Sequence, residues 1–66
     1  MKITVNEKSR EIPNGSTIET LLMILNISPN GVAVEMNRQV IPKTRHNVTF
    51  LRDEDNIEII QMVGGG

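Results

Sequence analysis

One helical stripe constrains this chain more than any other feature. Ile18, Leu21, Leu22 and Leu25 fall at i, i+3, i+4 and i+7, the spacing that lines one face of an α-helix, while Glu19 and Thr20 point away from it. Ser16-Thr17-Ile18-Glu19 fits a capping box, with Ser16 as N-cap and Glu19 reaching back from three residues on. The helix is expected to fray near Asn26, because Pro29 disfavours helical geometry at Ser28 and Ser28-Pro29-Asn30-Gly31 is a cluster of turn formers. The apolar stripe must be covered. The rest of the chain reads as strand, turn or loop, so the cover is a sheet.

Met1 to Asn6 alternates, with Ile3 and Val5 on one face and Lys2, Thr4 and Asn6 on the other. Asn6-Glu7-Lys8-Ser9 reads as a turn and Arg10 to Ile12 as a short returning strand, ended by Pro13-Asn14-Gly15. Val32 to Met36 is a third strand, Asn37-Arg38 a tight turn, and Gln39-Val40-Ile41 a fourth strand stopped by Pro42. Lys43 to Asn47 lacks either period and reads as a loop with at most one helical turn, and Val48 to Leu51 is too brief to assign. A charged turn, Arg52 to Asn56, precedes Ile57 to Val63, the most β-prone segment. This order predicts an α+β domain, a mixed sheet of four to five strands packed on one main helix. The economical arrangement pairs the first and last strands in the middle, which is the β-grasp or ubiquitin-like layout. The domain is expected to occupy residues 1–63, with 64–66 a flexible C-terminal glycine tail.

Composition narrows the function. A domain of 66 residues buries only about 60% of the surface its unfolded chain exposes, which leaves no room for a deep catalytic cleft. Without cysteine there are no disulfides or thiolate ligands, and one histidine is too few for a closed zinc cage, so no bound metal or cofactor is expected. Seven basic against eight acidic residues, with Phe50 the lone aromatic, offer neither a phosphate footprint nor stacking platforms. Nucleic acid is not an expected partner. The apolar run from Ile18 to Ile27 is interrupted and far short of the roughly 20 residues of a membrane span. The alternating start lacks the apolar core of a signal peptide, so the expectation is a cytoplasmic protein, monomeric when free.

The chain ends in Gly64-Gly65-Gly66. Glycine adds nothing to packing and carries the largest ordering entropy, so its use here is a thin backbone that enters slots too narrow for a Cβ. Three glycines beyond Val63 reach roughly 10 Å, with the Gly66 α-carboxylate at the tip. A carboxylate is a poor electrophile, so acyl transfer needs activation by a separate enzyme, most simply as a mixed anhydride with AMP. The carrier then needs no nucleophile or base of its own and is not itself an enzyme. On composition alone, the same three glycines are also compatible with a frayed terminus.

Several segments together resemble the ThiS family of thiamine-biosynthesis sulfur carriers, in the MoaD/ThiS ubiquitin-like superfamily. They are Met1-Lys2-Ile3-Thr4-Val5-Asn6, Pro13-Asn14-Gly15-Ser16-Thr17-Ile18 leading into Leu21-Leu22, Val32-Ala33-Val34-Glu35-Met36-Asn37, Val40-Ile41-Pro42-Lys43, Asp55-Asn56-Ile57-Glu58-Ile59-Ile60, and Val63-Gly64-Gly65-Gly66. The resemblance runs from end to end. It implies that an E1-like adenylyltransferase of the ThiF type uses ATP to adenylate Gly66, and that a sulfur donor enzyme supplies persulfide sulfur for a thiocarboxylate. A thiazole synthase of the ThiG type then takes the sulfur. A carrier for molybdopterin, cysteine or homocysteine synthesis, and a ubiquitin-like protein modifier, share this activation chemistry. Glu54 and Arg38 stand where the family often has glycine, and His46 lies where a tryptophan often follows the Pro-Lys/Arg pair.

Among the remaining residues, His46 sits between Arg45 and Asn47 and is expected at the surface without a catalytic role. Asp53, Glu54 and Asp55 lack the ligand alternation of a calcium loop and read as a solvated turn. Ile57 and Ile59 share one face of the last strand, Ile60 and Met62 the other. The second pair either docks a partner beside the tail or packs beneath a loop. Glu58 and Arg52 are candidate rim contacts of such an interface.

Overall fold

The computed structural model describes residues 1–62; residues 63–66, and with them the boundary and contacts of the glycine tail, lie outside the described residues. Five strands, β1 (Lys2–Val5), β2 (Lys8–Glu11), β3 (Val32–Met36), β4 (Gln39–Ile41) and β5 (Asn56–Gln61), form one sheet in the order β2-β1-β5-β3-β4. The pair β1–β5 is parallel and the other pairs are antiparallel. The helix α1 (Ile18–Ile24) covers one face. The expected β-grasp is formed, with five strands.

The core lies between the two layers. Ile18, Leu21 and Leu22 of α1 meet Ile3 and Val5 of β1, Val32 and Val34 of β3 and Ile57 of β5, with Ile12 and Leu51 closing the ends. Leu25 and Ile59 pack against its margin. The stripe and the strand alternation therefore bury the residues that their periods select.

Turn chemistry sets the strand limits. Asn6-Glu7 (φ 49° and 68°) and Asn37-Arg38 (φ 52° and 72°) both have two consecutive left-handed residues, the backbone of a two-residue hairpin turn whose twist matches that of the flanking strands. The first hairpin thus turns more tightly than the expected Asn6–Ser9 turn, and β2 begins at Lys8 rather than Arg10. Gly15 (φ 85°) supplies the remaining left-handed position of the segment before the helix, where Ser16 N–H closes on Pro13 C=O at 3.3 Å.

The helix cap is corrected by one residue. Thr17 is the N-cap, its Oγ1 accepting Thr20 N–H at 3.2 Å. Ser16 instead donates its hydroxyl to Pro13 C=O at 2.7 Å, and its own carbonyl accepts Leu51 N–H at 2.9 Å. Ser16 is thus spent on the turn and on Leu51, so the helix starts one residue later and the Ser16/Glu19 box is not made. Ile18 and Glu19 N–H donate across space to Thr49 and His46 carbonyls, both at 3.1 Å. The far end closes as expected near Asn26. That residue takes φ 59°, with Asn26 N–H donating to Met23 C=O and Ile27 N–H to Leu22 C=O at 3.0 and 2.9 Å, a Schellman cap with asparagine in the glycine position.

His46 departs most from expectation. It is only 5% exposed. Its Nε2 donates to Ile41 C=O at 3.1 Å, its Nδ1 is buried without a partner, and its own carbonyl caps the helix. The polar neighbours Arg45 and Asn47 face outward from a 3₁₀ turn at Lys43–Arg45 and the bend after it, which drives the residue between them inward. His46 joins the end of β4 to the start of α1.

Candidate functional site

The expected chemistry belongs to the chain end, so the site begins with how β5 delivers that end. β5 lies between β1 and β3, and its last residue Gln61 stands opposite Val32. One residue further, Met62 N–H still donates to Gly31 C=O at 3.0 Å, in a 3₁₀ turn (Pro29–Gly31) whose Asn30 N–H is capped by Ser28 Oγ at 3.3 Å. Asn30 also accepts the Lys43 ammonium. On the other flank β1 stops at Val5, and the Asn6 side chain continues the pairing. Its Oδ1 accepts Ile59 N–H at 2.8 Å and its Nδ2 donates to Ile59 C=O at 3.3 Å. The carboxamide imitates a peptide group where the strand has ended. The backbone is therefore anchored through Ile59 on the β1 side and through Met62 on the β3 side; the four residues that follow have a contour of at most about 14 Å.

The sheet face away from α1 is uncovered beside this exit. Glu58, Ile60 and Met62 alternate on that face, with Ala33 opposite Ile60, Glu35 opposite Glu58, and Val40 opposite Glu35. Ile60, Met62 and Val40 are 43%, 59% and 64% exposed, so no loop of the described residues covers them. The result is an apolar pair, Ile60 and Met62, beside a row in which Glu58, Glu35 and Val40 cross β5, β3 and β4. Like charges directly opposite on neighbouring strands destabilise a sheet, so the Glu35–Glu58 pairing costs stability.

Of the sequence-derived candidates, the structure brings Glu58, Ile60 and Met62 together. Arg52 lies at the other end of β5, in the turn that leads into it, where its N–H donates to Asp55 Oδ2 at 2.8 Å. Gly64, Gly65 and Gly66 lie outside the described residues. The acidic turn has structural work: Asp53 Oδ1 accepts Lys2 N–H at 2.8 Å, and Asp55 Oδ1 accepts the Asn37 amide at 3.0 Å. Among the described residues no three metal-ligating side chains gather to hold an ion. Sequence reasoning passed over Asn6, Glu35 and Val40, whose relation to β5 depends on strand order. Only the outward phase of Val40 between Gln39 and Ile41 was a usable signal.

One helix on five strands, with parallel first and last strands side by side, defines a β-grasp domain of the ubiquitin-like kind; here an anchored strand end adjoins an open sheet face. The ThiS family model matches residues 3–66. Over 66 residues the chain is 38% identical to a thiazole synthase of Magnetococcus marinus, covering all of this chain and 20% of that protein. It is 29% identical to the sulfur carrier protein ThiS of Escherichia coli, with both chains covered fully. A crystal structure of the thiamine biosynthesis protein ThiS from Geobacter metallireducens superposes over the whole of both chains with a TM-score of 0.88 at 29% identity. The chain belongs to the ThiS family.

Proposed function

We propose that this protein is the sulfur carrier of thiamine biosynthesis, its cargo held as a thiocarboxylate on Gly66. The supporting observation is the family match through residue 66, on a fold in which Met62 is still held to Gly31, with Val63-Gly64-Gly65-Gly66 following in sequence. In the proposed reaction the Gly66 carboxylate attacks the α-phosphorus of ATP on an adenylyltransferase, giving the acyl adenylate and releasing pyrophosphate. The terminal sulfur of a persulfide donor then displaces AMP at the acyl carbon to give an acyl disulfide, and a thiol breaks its S–S bond, releasing the thiocarboxylate and leaving in a disulfide with the donor. Ile60 and Met62, with Glu58, Glu35 and Val40 in one row across the three strands beyond them, form the face that docks on the adenylating enzyme. Thiazole synthase is the proposed acceptor, a role supported by relatives of that name that match this chain over its whole length in about a fifth of their own.

The test is intact-mass spectrometry after incubation with the cognate adenylating enzyme, ATP, a persulfide-generating cysteine desulfurase with cysteine, and a thiol reductant. The expected product has one oxygen replaced by sulfur, and removing Gly66 abolishes it. No mass change with an adenylating enzyme that demonstrably activates another carrier refutes the proposal.

A further inference from the structure

A second surface lies on the helix side of the sheet. The register Val5↔Lys8 and Ile3↔Arg10 puts two cations of β2 on the same face as the core residues of β1. α1 has seven residues, about 10 Å at 1.5 Å per residue, and does not extend over this edge strand, whose four residues are all exposed. An open groove of about 270 Å³ results, with Val5, Leu25, Ile27 and Ile59 as its aliphatic floor and Lys8 and Arg10 as its wall. The only ion pair among the described residues is that of the Met1 ammonium with Glu11, so neither cation has a carboxylate partner there.

Charged residues pointing inward on an edge strand also guard a sheet against edge-to-edge pairing. That role accounts for Lys8 and Arg10. It does not account for the half-buried Leu25, Ile27 and Ile59 left open beneath them. Together the two features match one kind of ligand, a segment carrying carboxylates beside an aliphatic side chain. The groove is also tied to the chain exit, since its wall includes Asn6, the residue that holds Ile59 through two hydrogen bonds.

We infer that this groove is a second docking site, on the face opposite Ile60 and Met62, for an acidic, aliphatic segment of the adenylating enzyme that receives residues 63–66. The inference rests on the carrier reading above. Engagement on both faces of β5 would hold Met62 at a fixed distance from the activating centre, which the open face alone does not ensure.

The experiment compares wild type, the Lys8→Glu/Arg10→Glu protein and the Lys8→Gln/Arg10→Gln protein as substrates of the adenylating enzyme, reading ATP-dependent pyrophosphate release against carrier concentration. Charge reversal keeps the edge strand charged, so edge protection survives while complementarity to the partner inverts. Arg38→Glu/Arg45→Glu supplies the same change in net charge at exposed positions away from the groove. The expected result is a KM raised about tenfold by the reversal, less by the neutral pair and under about twofold by the control, with kcat unchanged. The difference should shrink in 0.5 M salt, roughly, where the screening length is a few Å. Circular dichroism checks that each variant is folded. If the groove variants and the control share one KM, the docking proposal falls while the carrier reading stands. If the neutral pair self-associates at unchanged KM, edge protection is the whole role of the two cations. If the wild type is not activated at all, both readings fall together.

Discussion

Arg38 and Glu54 allow a clean test of backbone strain. Both are exposed, with φ of 72° and 73°, and the hydrogen bonds at these turns are made by backbone groups or by neighbouring residues, as in Glu54 N–H to Lys2 C=O. An L-residue in the left-handed region costs roughly 1–2 kcal/mol, and glycine removes that cost while adding roughly 0.5–1 kcal/mol of unfolded-state entropy to be lost on folding. The balance predicts that Arg38→Gly and Glu54→Gly each stabilise the domain by about 0.5–1 kcal/mol. In a domain of this size that is a rise of about 4–7 °C in Tm, read by thermal denaturation followed with circular dichroism. Two controls fix the sign. Thr4→Gly in the extended β1 should lower Tm, and Gly15→Ala should cost about 1 kcal/mol, because Gly15 has φ 85° although nothing lies within 4 Å of a Cβ placed there. If Arg38→Gly and Glu54→Gly lower Tm as Thr4→Gly does, the strain argument is refuted. The resemblance to the family implies glycine at both positions, and the strain gives that difference a measurable cost.

Three further outcomes follow from the geometry. Thr17→Ala should destabilise the fold by about 1 kcal/mol through loss of the helix cap, and urea denaturation of the variant at equal m-value is the check. Asn6→Ala removes both hydrogen bonds to Ile59 and leaves two strand groups without their partner, at a cost of about 1–3 kcal/mol; hydrogen exchange should quicken at Ile59 before it does at Ile57. Glu58→Lys turns a like-charge pair opposite Glu35 into an attractive one and should raise stability by about 0.2–1 kcal/mol. The same change should weaken activation by the adenylating enzyme, so stability and activity part company if the open face is the docking surface.

Much of this protein was legible in its residues. The 3.6 period at Ile18, Leu21, Leu22 and Leu25 and the alternation at Ile3 and Val5 name core faces, because burial has to follow the pitch of the backbone. The Asn37-Arg38 turn and the stop at Asn26 were readable for a related reason, since local dihedral preferences act without help from the rest of the fold. Misreadings arose where distant chain decides. Ser16 looked like the cap until Pro13 and Leu51 claimed it, which leaves the role to Thr17. His46 looked solvated until the carbonyl of Ile41 drew it inward. Nothing near Asn6 in sequence announces Ile59, 53 residues away. The sequence by itself determined the helix, the strands and the glycine ending, through periodicity and composition. Only the tertiary structure decided which side chains adjoin the point where β5 leaves the sheet. Strand order and register, unlike periodicity, are products of contacts between residues far apart in the chain.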